Sequence, residues 1–316
     1  MNPYDKEYKK QLSKIGVVML IFFGATMVML IPELYSMIAA QLMPQKAFDI
    51  SYNLLYSILY FAMFFVPMLI YKKLDREYSF AEMPCKMKLS RHLPLLILAG
   101  LAINYVASYI NSIAVSLMGL DMSAFFVDEY PNGYHGYHFI LETIKLAIVP
   151  AFCEELLFRG LILDRLKRFG REKAILISAL LFALMHQHPA QAFYTFILGL
   201  FLGYMVFESG SIWGGIILHF VNNFTQVIIN AISYTNSEPR ANFIIAIIEL
   251  VIILSGTAAA IYYFVHHGKK NLGDPEWVFF AERELTPRYS VKGFFTPTII
   301  VFAALSIVSM AAAFFI

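Results

Sequence analysis

Three short runs of this chain set acids, imidazoles and amides at helical spacing inside otherwise apolar sequence. AFCEELLFRG carries Glu154, Glu155 and Arg159. LLFALMHQHP carries Phe182, His186 and His188 ahead of Pro189, and ILHFVNNF carries His219, Asn222 and Asn223. Glu155 and Arg159 are four apart with the acid first, the favourable order for an ion pair on one helix face. Glu154 lies about 100° round the helix and cannot share that pairing equally. A second carboxylate in apolar surroundings suits a general acid or base. His186 shares a face with Phe182, and His219 shares one with Asn223. Taken singly, each imidazole or amide also fits a structural role, such as a hydrogen bond between helices. Together a carboxylate, two imidazoles and an amide can activate a water and donate hydrogen bonds to a developing oxyanion.

The elements that carry these groups follow from composition. The chain has 316 residues, 59% hydrophobic and 15% charged, where a soluble domain carries about 25% charge. The apolar residues fall in long continuous runs such as 15–31 and 53–71. This excludes a soluble enzyme, a disordered tail and a disulfide scaffold, and the absence of alternation argues against a transmembrane β-barrel. The net charge of +2 gives no sign of a nucleic-acid partner. The expected fold is all-α, a polytopic bundle of nine spans at 15–38, 52–71, 93–117, 137–163, 174–187, 191–207, 212–233, 241–265 and 295–316. Residues 1–136 hold spans one to three, 137–233 a core of spans four to seven, and 234–316 the last two spans with a polar loop at 266–294. That loop, with Trp277, Phe279 and Phe280, is expected to be a folded connector rather than an interfacial segment. The first span, although preceded by four lysines, is longer than a signal-peptide core and is expected to stay uncleaved.

Loop charge sets an orientation. Lys6, Lys9, Lys10 and Lys14 precede span one, and basic residues recur at 72–91, 165–173 and 269–292. The loop at 118–136 carries Asp121, Asp128 and Glu129 and no Lys or Arg. This alternation predicts an N-in, C-out protein. Counting from the cytoplasmic ends, Glu154, His186, His219 and Asn223 lie roughly 12–19 Å deep in hydrocarbon about 30 Å thick. An ionisable group there marks a functional site by default.

The ordered set EExxxR, FxxxH and HxxxN resembles the CPBP family, the CAAX proteases and bacteriocin-processing enzymes that include the type II CAAX prenyl endopeptidases and the Abi proteins. The resemblance covers about 139–233. It implies a helical intramembrane endopeptidase acting on a membrane-associated, possibly lipidated, protein or peptide. By that resemblance Glu154 activates water with help from His186, His219 and Asn223 form the oxyanion hole, and Glu155, Arg159 and Phe182 support them. Glu154, His186 and His219 could in principle make a zinc site open at one position, but no HExxH is present. The expectation is glutamate-activated water with no tightly held metal.

Two other readings use the same residues. A proton-coupled transporter would employ Glu154, His186 and His219 as a relay, but no repeated halves are visible. A non-catalytic scaffold would not need Glu154 beside an already paired Glu155. Cys153 is expected to be a packing residue rather than a nucleophile, Glu142 is expected to pair with Lys145, and Glu249 has no evident local partner. The compact loops and the lack of an organelle-targeting segment point to a bacterial cell membrane.

Overall fold

A computed structural model describes residues 3–119, 130, 133–268 and 294–312. Each expected span corresponds to helix, and no strand occurs among the described residues. The loop residues Asp121, Asp128 and Glu129, and the polar segment from 269 to 293 with Trp277, Phe279 and Phe280, lie outside them.

Helix α1 (Pro3–Ala25) runs through a 3-10 turn (Thr26–Met29) into α2 (Leu30–Leu42). Pro32 lacks an N–H and its ring crowds the carbonyl four residues back, which accounts for the tightened turn just before it. The helix starts well before the expected apolar boundary. Its lysine-rich arm holds helical pairs, Gln11 donating to Glu7 at 3.0 Å, and buries Tyr8 and Leu12. Helix α3 (Gln45–Leu74) and α4 (Leu93–Leu117) follow.

The fourth expected span is a composite rod. It consists of α5 (Gly136–Glu142), a π-helical segment (Thr143–Ile148), α6 (Val149–Glu155), a second π-helical segment (Leu156–Leu163) and α7 (Asp164–Leu166). Pro150 cannot supply the donor that the Leu146 carbonyl would use in a regular helix. Wider turns of this kind often sit at functional sites. Then come α8 (Arg171–Met185), α9 (Pro189–Ser209), α10 (Trp213–Thr235), α11 (Glu238–Tyr263) and α12 (Pro297–Ala312).

Among the described residues six helical stretches are long and apolar enough to cross a membrane: Asp5–Leu42, Gln45–Leu74, Leu93–Leu117, Pro189–Ser209, Trp213–Thr235 and Glu238–His267. The chain is an all-helical integral membrane protein. The composite rod, α8 with 15 residues and α12 with 16 do not meet that standard on their own.

Two apolar clusters hold the bundle. The larger joins α1, α3, the rod, α8 and α12 through residues such as Leu12, Met68, Leu157 and Phe302. The smaller joins α4, α9, α10 and α11 through Leu96, Leu202, Leu218 and Tyr263. Helix α11 crosses α4 so closely that a Cβ on Gly256 would overlap the Leu98 carbonyl oxygen. Small residues permit such approach where lipid offers no hydrophobic drive between helices.

Charged loops gather at one end. Asp75, just beyond α3, meets Lys14 at 3.4 Å and Arg165 at 3.3 Å, and Arg168 meets Glu7 at 3.0 Å. Burial pushes the Asp75 carboxyl upward, but Lys14 and Arg165 outweigh it and hold the group below its ordinary value. Ser211 donates to the Lys86 carbonyl at 2.7 Å. Three loops that the charge pattern assigns to one side therefore share one end of the molecule. At the other end Asp49 of α3 is bonded to Tyr137 and His138 of α5 at 2.7 and 3.0 Å.

Candidate active site

The rod, α8 and α10 bring the three sequence runs together. Glu154, Phe182, His186, His219 and Asn223 all line one cavity of about 540 Å³. Glu155 and Arg159 are fully buried beside it. The expected ion pair forms, with Arg159 donating to Glu155 Oε1 at 2.8 Å. The guanidinium also donates to the Gly199 carbonyl at 3.2 Å and stacks 4.4 Å from the Phe182 ring centre.

Glu155 uses the same oxygen to accept from His219 Nδ1 at 3.1 Å. A carboxylate only accepts, so Nδ1 carries the hydrogen and His219 Nε2 is turned to the cavity. That nitrogen lies 3.8 Å from Glu154 Oε2. Helix α10 comes close enough for this contact because Gly215 has no side chain. A Cβ there would be 2.9 Å from Glu155 Oε2.

Glu154 has different surroundings. Tyr60 of α3 donates to its Oε1 at 2.5 Å, while Oε2 is buried with no hydrogen-bond partner among the described residues. A buried, unsatisfied carboxylate oxygen is costly unless a bound group uses it.

His186 caps α8, and its Nδ1 donates to the Phe182 carbonyl at 2.8 Å. That bond fixes the tautomer and leaves Nε2 as the acceptor. The chain then reverses through Gln187, whose φ of 52° is the one positive value on a non-glycine residue among those described. Left-handed backbone costs a side-chain-bearing residue roughly 1–2 kcal/mol, and Pro189 starts α9 immediately after. The turn falls at the end of a short helix, as the His-Gln-His-Pro run implies. Phe182 sits edge-on to both imidazoles, with ring centres 5.0 Å from His186 and 6.0 Å from His219.

Asn223 donates to the Leu146 carbonyl, orphaned by Pro150, at 3.0 Å. Asn222, off the His219 face by spacing, donates to Asn223 Oδ1 at 3.1 Å and accepts from Asn104 of α4 at 2.8 Å. Tyr60, Asn104 and Asn222 are thus part of the site although the three motifs do not single them out. Their signals were weak ones: tyrosines at four-residue intervals on α3, and one amide in an apolar span.

Several other expectations resolve locally. Cys153 is buried in the larger apolar cluster, and both Cys85 and Cys153 are free thiols. Glu249 accepts from Tyr109 across the α4–α11 contact. Glu142 accepts from Tyr134 at 3.2 Å, and Lys145 lies over the Tyr52 and Tyr56 rings. Among the described residues no group of three or more His, Cys, Asp or Glu side chains is placed to hold a metal ion.

Fold and site together define a membrane-embedded helical protein with a polar, carboxylate-bearing cavity. Residues 136–225 match the family described as type II CAAX prenyl endopeptidase Rce1-like. No curated protein and no solved structure matches the chain.

Proposed function

We propose that the protein hydrolyses a peptide bond of a membrane-associated or lipidated protein or peptide, with Glu154 activating the attacking water. The observation that carries this reading is the asymmetry of that carboxylate. One oxygen is held by Tyr60, while the other is buried without a hydrogen-bond partner, 3.8 Å from His219 Nε2.

Glu154 Oε2 takes a proton from water as the hydroxyl oxygen bonds to the scissile carbonyl carbon. His186 Nε2 accepts the second water hydrogen and orients the attack. The carbonyl oxygen, now negative, receives hydrogen bonds from His219 Nε2–H and from the Asn223 Nδ2 hydrogen not given to Leu146. In this scheme His219 donates from both ring nitrogens, Nδ1 to Glu155 and Nε2 to the oxyanion. Glu154 then returns its proton to the leaving nitrogen as the C–N bond breaks. Glu155, Arg159 and Phe182 touch no reacting atom in this scheme and position His219 and His186. Aqueous chemistry at this depth needs a polar enclosure, and the cavity provides one.

The test is cleavage of a farnesylated peptide by the purified chain in liposomes. Glu154→Gln, nearly isosteric, removes the base and is expected to reduce turnover by at least about 100-fold with unchanged thermal unfolding. Full activity in that variant would remove Glu154 from the mechanism.

A further inference from the structure

Three side-chain amides form a directed chain along the cavity wall. Asn104 of α4 donates to Asn222 Oδ1 at 2.8 Å, Asn222 donates to Asn223 Oδ1 at 3.1 Å, and Asn223 donates to the Leu146 carbonyl at 3.0 Å. All three amides line the cavity that holds Glu154. The direction of the chain is fixed from its far end. A backbone carbonyl only accepts, so Asn223 turns Nδ2 to Leu146 and is left with Oδ1 toward Asn222. Asn222 meets that oxygen with Nδ2, and its own Oδ1 then needs a donor, which Asn104 supplies. The bond between Asn222 and Asn223 is not a local default. Adjacent residues of a helix stand about 100° apart, and their side chains do not face each other. Asn104 is the partner that holds Asn222 in place from another helix. It is 6% exposed, and its Oδ1 has no hydrogen-bond partner among the described residues. A buried amide that uses only its donor acts here as a donor, at the cost of an unmet acceptor.

We propose that Asn104 is a positioning residue for the oxyanion donor Asn223, acting through Asn222. This rests on the hydrolase reading above. With Asn222 donating into its oxygen, Asn223 cannot flip its amide without setting oxygen against the Leu146 carbonyl and N–H against N–H. The second Nδ2 hydrogen therefore stays available to the substrate carbonyl oxygen as it becomes negative. The Asn223 amide oxygen, which would repel that charge, is kept away from it. Amides bonded head to tail also polarise one another, so donation into Asn223 Oδ1 makes its N–H a stronger donor. A plain tie between helices would be served by a hydrogen bond of either direction, whereas the site uses this direction alone. Helix α4 (Leu93–Leu117) lies outside the matched segment 136–225, so this control reaches the site from beyond it.

The test is steady-state cleavage of a farnesylated peptide by the full-length protein in liposomes, read as a double-mutant cycle between Asn104→Leu and Asn223→Ala. Asn223→Ala removes one oxyanion donor and is expected to lower kcat on the order of 100-fold. Asn104→Leu, similar in size, is expected to lower kcat about 10-fold with KM unchanged, because the donor counts only in the transition state. In the Asn223→Ala background the same change should lower kcat by less than about twofold, since nothing is left to position. Asn222→Ala cuts the chain in the middle and leaves α4 intact. It should reproduce the loss and make Asn104→Leu silent, and its own cycle with Asn223→Ala decides should Asn104→Leu fail to fold. Unchanged kcat, a loss confined to KM, or a loss of equal size with and without Asn223 would overturn the proposal and leave the hydrolase reading standing. No cleavage by the unaltered protein would sink the hydrolase reading and this proposal with it.

Discussion

Glu154 and Glu155 are neighbours in the chain and meet different surroundings. Glu155 is held through Oε1 by Arg159 and His219, whereas Glu154 is held through Oε1 by Tyr60 of another helix; each keeps a buried Oε2 without a hydrogen-bond partner among the described residues. Tyr60→Phe deletes only that hydroxyl. The account predicts a fall in kcat of about 10-fold with little change in KM, the cost of one strong hydrogen bond to the reacting carboxylate. Steady-state kinetics on a cleaved peptide would show it, and a pure KM effect would make Tyr60 a substrate contact instead. The pairing of Glu155 with Arg159 was legible because it is local: four residues in a helix fix the geometry. The roles of Tyr60 and Asn104 were not, since helical periodicity says nothing about which side chain a neighbouring helix presents.

At the scale of elements, close packing sets the site. Gly215 lets α10 lie against Glu155. Glu155 is pinned by Arg159 and His219, so it cannot swing aside for a new methyl group. Gly215→Ala is expected to lower stability by about 1–3 kcal/mol through overpacking and to reduce activity further by displacing His219. Thermal unfolding and cleavage rate measured together would check this. The loop network gives a pH prediction. Lys14 and Arg165 hold the Asp75 carboxyl low, so its ionised form stabilises the fold above the ordinary carboxylate value and that contribution fades as pH falls through the lowered one. Asp75→Asn should cost about 1–3 kcal/mol near pH 7, with the gap to the unaltered protein closing below about pH 4. Unfolding midpoints across pH would reveal a constant gap if Asp75 were not ionised. The short α8 and its reversal before Pro189 could be read from the sequence, because proline and a truncated apolar run mark such a turn. The two π-helical segments could not. They answer to Pro150 and to contacts made by Asn223 and Arg159 from or to other helices.

For the whole molecule, charge scarcity fixed the class and charge placement fixed which loops belong together. The end that holds Lys14, Asp75, Arg165 and Lys86 collects three of the basic loops. The helices outside the matched family segment are not a passive frame: α3 supplies Tyr60 and α4 supplies Asn104. Deleting the first three helices should therefore abolish activity even where residues 136–225 remain intact. The central claim is hydrolysis by Glu154 within the membrane. It is tested most directly by mass spectrometry of a farnesylated peptide incubated with proteoliposomes of the unaltered protein and of Glu154→Gln. The account predicts two peptide fragments whose masses sum to substrate plus water, formed by the unaltered protein and lost in the variant. Equal fragments from both would contradict it, as would an intact peptide with the unaltered protein alongside proton flux that depends on Glu154.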